Sequence, residues 1–331
     1  MAKLRLGFIG CGGVAQQHFK GIATFDDVEM AAFCDVNPAA VERSVATYGG
    51  RGFTRHEEMF AEVALDGVYI ILPPFAHGPA EFAAIERGIP FFVEKPVGID
   101  LGLLREIARA VEEKGLLTSV GYMTRYRESV RAARELLADD VVVIAHGGWI
   151  GGSPKPGSPG HPWLYTKERS GGQLVEQTTH TVDLVRYLCG EAVEVYAVGA
   201  RGFVTHVPNW TVEDASLAVV RLASGGIAVF WSSWAADGGG GGVSLTLYGR
   251  KRTFQFTGWE QSLKVFEGGK VTREVPGEPE IFRIEDRAFV DALRTGDRSG
   301  ILCDYADGFR TTRLTLAANE AMATGRPVTL D

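Results

Sequence analysis

Basic residues are in short supply: 34 Lys and Arg stand against 41 Asp and Glu, a net charge of −7. With no basic stripe to offset that balance, non-specific nucleic-acid binding is not expected. Cysteine is scarce as well. Cys11, Cys34, Cys189 and Cys303 are scattered with no C-x-x-C pair, three of them in apolar surroundings and Cys11 in a glycine-rich turn. That excludes a disulfide scaffold and a structural zinc site, and the expectation is a reduced, cytoplasmic protein with no metal. Long apolar runs are missing, and the first ten residues hold only a brief one, so neither a membrane span nor a signal peptide is expected. Repeats are absent, and the one low-complexity stretch is the glycine run 238–242, read as a flexible hairpin tip. What is left is ordinary globular composition, 45% hydrophobic and 23% charged, over 331 residues. That length fits two domains better than one small core.

Strand-length apolar runs at 4–9, 28–34, 67–72, 90–93 and 116–121 alternate with helix-like stretches near 14–23, 38–47, 77–87 and 101–114. Alternating βα units predict an α/β fold, an N-terminal doubly wound parallel sheet of the Rossmann type over residues 1–121. Beyond Tyr122 the pattern changes. A helix near 125–138 leads to a strand-like run at 141–150, a Pro/Gly loop at 151–162 and a helix over 173–188. Strand-like runs then follow in succession at 193–201, 214–223, 226–234, 243–248, 252–256, 262–266 and 270–275, and helices near 281–295 and 304–324 close the chain. Turn signals such as Ser224-Gly225-Gly226 separate the strands as hairpins require. This predicts a C-terminal α+β domain, residues 122–331, on a large, mostly antiparallel open sheet with helices on one face. The other face needs cover, and a second copy of the chain would supply it, giving a homodimer or homotetramer.

The run Leu4 to Ile9 passes straight into Gly10-Cys11-Gly12-Gly13-Val14-Ala15. Gly10 permits a tight turn, Gly12 lets the main chain approach a pyrophosphate, and Ala15 lets the next helix pack close with its N–H groups facing the phosphates. A lone G-x-G-x-x-A is weak evidence. Here a strand precedes it, a helix follows, and Asp35 closes the second apolar run. A carboxylate at that point accepts hydrogen bonds from the ribose hydroxyls of NAD and repels a 2′-phosphate, and no arginine follows in Asp35-Val36-Asn37-Pro38. NAD is therefore expected over NADP, although Asp35 could also be a simple helix cap.

Ligands of an open parallel sheet bind at the carboxyl ends of its strands. Those ends hold Leu72-Pro73-Pro74, Glu94-Lys95-Pro96 and the segment from Gly121 to Arg125. Lys95 directly follows a buried strand; it could share a hydroxyl proton, or it could pair with Glu94 and merely hold the strand end. In the 173–188 helix, Glu176, His180 and Asp183 are spaced i, i+4 and i+7 and so share one face, the pattern of an acid/base group with orienting partners. No further His/Cys cluster completes a metal shell.

These motifs together resemble the Gfo/Idh/MocA oxidoreductase family, the group of glucose–fructose oxidoreductase and inositol dehydrogenase. The resemblance covers essentially the whole chain and rests on Gly10-x-Gly12-x-x-Ala15, Glu94-Lys95-Pro96, and Gly171-Gly172 leading to His180-x-x-Asp183. Pro73-Pro74-Phe75-Ala76-His77 resembles the family's segment on the nicotinamide side, and the segment from Gly121 to Tyr126 its domain-crossing stretch. The resemblance implies that Lys95 binds the reacting oxygen and that His180 accepts the proton. Glu176 stands where dehydrogenases of the family commonly carry aspartate, one methylene longer, and Thr178 where glycine is frequent.

The cofactor contacts it implies are Gly10, Gly12, Gly13, Val14, Ala15, Asp35, Leu72, Pro73, Pro74, His77, Glu94 and Lys95. Substrate recognition is expected from Arg125, Asp183 and the 151–170 loop, where Trp163, Tyr165 and Lys167 could contact a hydroxylated ring or simply anchor the loop. His161, Arg169, Trp231 and Trp234 are weaker candidates, and His18, His56, His146 and His206 are assigned no chemistry. The leading expectation is NAD-dependent oxidation of a secondary alcohol of a sugar, cyclitol or related polyol. An NAD-using glycosidase-type elimination and a non-catalytic dinucleotide and sugar sensor are the alternatives. Retention of both Lys95 and His180 argues against the sensor.

Overall fold

The computed structural model describes residues 2–155 and 162–330, so the expectation for His161 lies outside the described residues. In chain order the first elements are β1 (Leu4–Ile9), α1 (Gly13–Ile22), β2 (Val28–Cys34), α2 (Pro38–Tyr48), β3 (Arg51–Phe53), α3 (His56–Glu62), β4 (Gly67–Ile70), α4 (Pro79–Arg87), β5 (Phe91–Val93), α5 (Leu101–Lys114) and β6 (Thr118–Val120). There follow α6 (Glu128–Leu137), β7 (Val142–Ile150), α7 (Lys167–Ser170), α8 (Gln173–Glu176), α9 (Thr179–Cys189) and β8 (Ala192–Ala200). The remainder are β9 (Ala215–Leu222), β10 (Ile227–Ser233), β11 (Gly242–Gly249), β12 (Arg252–Thr257), β13 (Ser262–Glu267), β14 (Lys270–Val275), α10 (Ile281–Thr295), α11 (Tyr305–Thr324) and β15 (Val328–Thr329).

The chain forms two compact units, one of residues 1–123 with 280–309 and one of residues 124–279 with 310–331. The single cut near 121 is therefore corrected: helix α10, expected in the second domain, returns to the first. Its packing gives the reason. Phe289 sets its ring edge against Tyr69 and close to Phe92, and Arg287 and Arg294 both hold Asp27, the residue before β2. After α10 the main chain stays with this unit, where Cys303 O accepts from the Val120 amide.

Among the described residues, the first unit holds six strands, all parallel, in the order β3-β2-β1-β4-β5-β6. The order reverses between β1 and β4, the switch point at which such sheets bind ligands. Both faces are buried. Phe33, Phe8, Tyr69 and Phe92 form a row across four strands with neighbouring centroids 4.9 to 5.3 Å apart, while Ile9, Val68, Ile70, Phe91 and Val93 pack into a separate core. Helix α5 shows how the local sequence supports this arrangement. Asp100 caps the amides of Gly102 and Leu103, Leu104, Ile107 and Val111 are its buried stripe, and Gly115 ends it in left-handed conformation. The short β3 and α3 were not anticipated.

The second unit, among the described residues, is built on nine strands in the order β14-β13-β12-β11-β7-β10-β9-β8-β15. Neighbours are antiparallel except β7 and β10, which run parallel. Its core lies on one face, where Ala145, Val220, Phe230, Leu245, Leu247, Phe254 and Val265 pack with Val130 of α6, Leu184 of α9 and Leu314 of α11. The opposite face exposes Tyr196, Val198, Leu217, Val219, Ile227 and Tyr248, each by at least 39%. Among the described residues no helix is long and apolar enough to cross a membrane, and no cluster of His, Cys, Asp and Glu could hold a metal ion.

Candidate functional site

In the first unit, Gly10 takes φ +100, and a Cβ there would lie 2.0 Å from the Ile71 carbonyl oxygen, so only glycine fits between β1 and β4. At Gly12 and Gly13 the opposite holds, since added Cβ atoms would meet nothing within 4 Å and the outer side of the turn is open. Helix α1 has Gly12 at its N-cap position, so it has no side-chain cap, and no acidic residue lies in its first turn. Its leading N–H groups are left for an anion. Ala15 is fully buried against the sheet, while Val14 stands exposed beside the turn. Asp35 is held by two amides, Cys11 N donating to Oδ2 and Asn37 N to Oδ1, both at 2.8 Å. Its carboxylate is thereby oriented beside the glycine turn. Val36, next in sequence, is 91% exposed, an apolar surface beside that carboxylate. Open turn, uncapped helix and oriented carboxylate together fit a dinucleotide.

Leu72 and Pro73 lead from β4 into a short 3-10 turn, Pro74–Ala76, which ends at His77. His77 is buried with Nδ1 2.6 Å from Glu81 Oε1, and Glu81 Oε2 accepts from the Gly78 amide at 2.7 Å, so the pair also caps α4. Nε2 of His77 has no hydrogen-bond partner among the described residues. At the end of β5, the Lys95 amide donates to Glu94 Oε2 at 3.0 Å. Oε1 of Glu94 meets His18 Nε2 at 3.1 Å. Histidine 18 is thus part of the Lys95 surroundings, which nothing near it in the sequence signalled.

In the second unit, the expected continuous helix over 173–188 is corrected. Helix α8 ends at Glu176 and α9 begins at Thr179. Between them the Thr178 amide reaches back to the Gln173 carbonyl, and the regular hydrogen-bond ladder restarts with Val182 N to Thr178 O. The adjacent β-branched residues Thr178 and Thr179 favour such a break. Glu176 is therefore not in helical i, i+4 register with His180, and only His180 and Asp183 share a helix. The His180 ring meets Trp259 edge-on at 5.8 Å, and Trp259 leans on Trp149 at 5.5 Å. Trp259 is 42% exposed, and its carbonyl is held by the buried Arg127. Gln177, in the break, accepts from the Trp234 indole N–H at 2.8 Å.

The residues expected to meet substrate are placed differently from one another. Arg125 and Asp183 meet each other in a bidentate pair of 2.6 and 2.7 Å, with Arg125 1% and Asp183 0% exposed. Thr311 Oγ1 donates to the same carboxylate at 2.8 Å. Lys167 Nζ donates to Glu213 at 2.6 Å and Asn319 at 2.7 Å, which fastens α7 to the approach of β9 and to α11. Gly172, at φ +88, leaves room for this pair, since a Cβ would lie 2.9 Å from Lys167 Nζ. Tyr165 stacks on Trp210 at 5.4 Å and faces the edge of Trp234. Trp163 is half-buried in the neighbouring 3-10 turn.

A family model described as an oxidoreductase family with an NAD-binding Rossmann fold matches residues 4–122, and the GFO/IDH/MocA C-terminal domain matches residues 130–255. The chain belongs to the Gfo/Idh/MocA family. Among the relatives of this family member is an uncharacterized oxidoreductase, YrbE, of Bacillus subtilis, 23% identical over 98% of this chain and 96% of its own length. Another is the inositol 2-dehydrogenase of Rhizobium meliloti, 27% identical over 70% of this chain and 68% of that protein. A levoglucosan dehydrogenase solved with NADH and L-sorbose shares the Gfo/Idh/MocA fold with a TM-score of 0.87 at 21% identity, covering 100% of both chains.

Proposed function

We propose that the protein is an NAD-dependent dehydrogenase that oxidises a secondary alcohol of a sugar, cyclitol or related polyol. The observation that carries this reading is the glycine turn, open at Gly12 and Gly13 and flanked by a carboxylate that two backbone amides orient. The relatives named above, an inositol dehydrogenase and a levoglucosan dehydrogenase, support the substrate class. Gly10, Gly12, Gly13, Val14 and Ala15 form the pyrophosphate contact, Asp35 takes the ribose hydroxyls, and Leu72, Pro73, Pro74 and His77 line the nicotinamide side. Asp35 makes NAD the preferred cofactor over NADP, because a 2′-phosphate would meet its negative charge. Bound NAD supplies the hydride acceptor.

Lys95 donates a hydrogen bond to the reacting oxygen and stabilises the charge that develops as its proton leaves. His180 accepts that proton, and Glu176 orients the imidazole. Trp163, Tyr165 and Trp259 offer apolar ring faces to the C–H side of a sugar or cyclitol ring. Arg125 and Asp183 act by holding α9, and with it His180, in place. The exposed face of the second sheet, from Tyr196 to Tyr248, is the surface for a homodimer or homotetramer.

Titration of the protein with NADH and NADPH, by energy transfer from tryptophan and by calorimetry, tests the cofactor assignment. Saturable binding that favours NADH is expected, and equal affinity for the two would contradict it. Lys95→Met should lower turnover of the best polyol in a panel by about 10²–10⁴-fold.

A further inference from the structure

His18 lies on α1, the helix whose first turn faces the dinucleotide site, and its side chain is fully buried. Both ring nitrogens meet carboxylates, Nδ1 to Asp286 Oδ1 at 2.7 Å and Nε2 to Glu94 Oε1 at 3.1 Å. Ionised carboxylates only accept, so an imidazole bonded to both must donate twice and carry its charge. Burial opposes that charge, but the charge and hydrogen bond of Asp286, followed by those of Glu94, outweigh it and lift the pKa to about 10. Phe92, Phe282 and Tyr69 ring the imidazole at 5.1 to 5.7 Å between centroids.

Two glycines on separate elements make room for this chain of bonds. A Cβ on Gly21 would lie 3.2 Å from the Arg283 Cα and 3.3 Å from Asp286 Oδ2, so α1 and α10 cross in close contact there. A Cβ on Gly121, just past β6, would lie 2.6 Å from Glu94 Oε1. The Glu94 carboxylate is thus confined by Gly121, bonded on one oxygen to His18, and bonded on the other to the Lys95 amide.

We infer that His18 is a positioning residue for Lys95, tying the Glu94 carboxylate and the main chain of Lys95 to the cofactor-binding helix. This rests on the reading that Lys95 meets the reacting oxygen. A histidine that served packing alone would change stability without changing turnover by the folded protein. A displaced Lys95 would lower kcat while leaving dinucleotide affinity intact, because the glycine turn and Asp35 are untouched.

The test uses the full chain and the best polyol in a panel, with His18→Gln, Glu94→Gln and the double variant, and Lys95→Met as reference. His18→Gln should lower kcat about 10- to 100-fold, as small misplacements of catalytic groups do, with KM and NADH affinity within about threefold of wild type. The double variant should be no slower than the slower single one, because both break the same link. Unchanged kcat in folded His18→Gln, or losses that multiply in the double variant, would overturn the inference. If His18→Gln does not fold, Gly121→Ala, which crowds Glu94 and leaves His18 intact, should show the same fall in kcat; full kcat there would overturn it. Full turnover by Lys95→Met would instead overturn the underlying reading of Lys95, a result separable from any result at His18.

Discussion

The two sheets deal with their second faces in opposite ways. The first is covered on both, with Phe8, Phe33, Tyr69 and Phe92 buried on one side and Ile70, Phe91 and Val93 on the other. The second buries Ala218, Val220 and Leu222 of β9 on one side and leaves Leu217 and Val219 of the same strand exposed on the other. The difference extends to how each unit builds a site. Apart from the proposed Lys95 contact, the first unit presents mostly backbone, namely a glycine turn, uncapped amides and one carboxylate held by amides. The second presents side chains, His180 and a set of aromatic rings, whose placement depends on a helix break and a buried ion pair. Backbone sites follow from the fold, whereas side-chain sites follow from packing around each residue.

The largest expected effect tests the side-chain half. Arg125→Ala leaves Asp183 charged and buried with its bidentate partner gone, which should cost about 3–5 kcal/mol. Denaturant unfolding would show this, and a loss confined to KM would instead make Arg125 a substrate contact. The backbone half has a sharper test in Gly12→Ala. Its φ of −76 suits alanine and the added Cβ meets nothing within 4 Å, so the melting temperature should hold. NADH affinity should nevertheless fall tenfold or more, about 1.4 kcal/mol, because the methyl stands where the pyrophosphate approaches. Unchanged affinity would place the dinucleotide elsewhere.

A smaller effect separates the units by pH. The folded pKa of His18, about 10, lies above its ordinary value of 6.5, so its stabilisation is full below about 6.5 and is lost as pH rises toward 10. Melting temperature should therefore fall more steeply between pH 7 and pH 10 in the wild type than in His18→Gln. Parallel curves would contradict the charged bridge. The smallest effect concerns the open sheet face. Leu217→Glu should leave the melting temperature of the dissociated chain within a few degrees and shift the mass in solution toward monomer. An unchanged mass would remove that face as the contact.

Much of this contrast was legible in the sequence, unevenly and for physical reasons. Gly10, Gly12, Ala15 and Asp35 carry their meaning in local spacing, because a turn between strand and helix is set by a few neighbouring residues. The strand runs of the second unit were legible by length and turn residues, but not which face is buried. In Ser216-Leu217-Ala218-Val219-Val220 both alternating sets are largely apolar, and the larger Leu217 points outward. The break before His180 left no Gly or Pro to mark it, so a single helical register was expected to run from Glu176 through His180. Helix α10 is amphipathic and would suit either core; its return to the first unit depends on partners such as Asp27 and Tyr69, far away in sequence. His18 failed for the same reason, since its partner Asp286 is 268 positions distant.

One measurement bears most directly on the proposed chemistry. Purified wild type and His180→Ala would be compared for NADH formation from NAD over a panel of cyclic polyols and sugars, with NADH affinity measured alongside. Wild type should oxidise at least one compound, and His180→Ala should lose about 10²–10⁴-fold in kcat while binding NADH as tightly as before. Undiminished turnover by His180→Ala, or NADH binding with no oxidation of any member of the panel, would contradict a polyol dehydrogenase that works through His180.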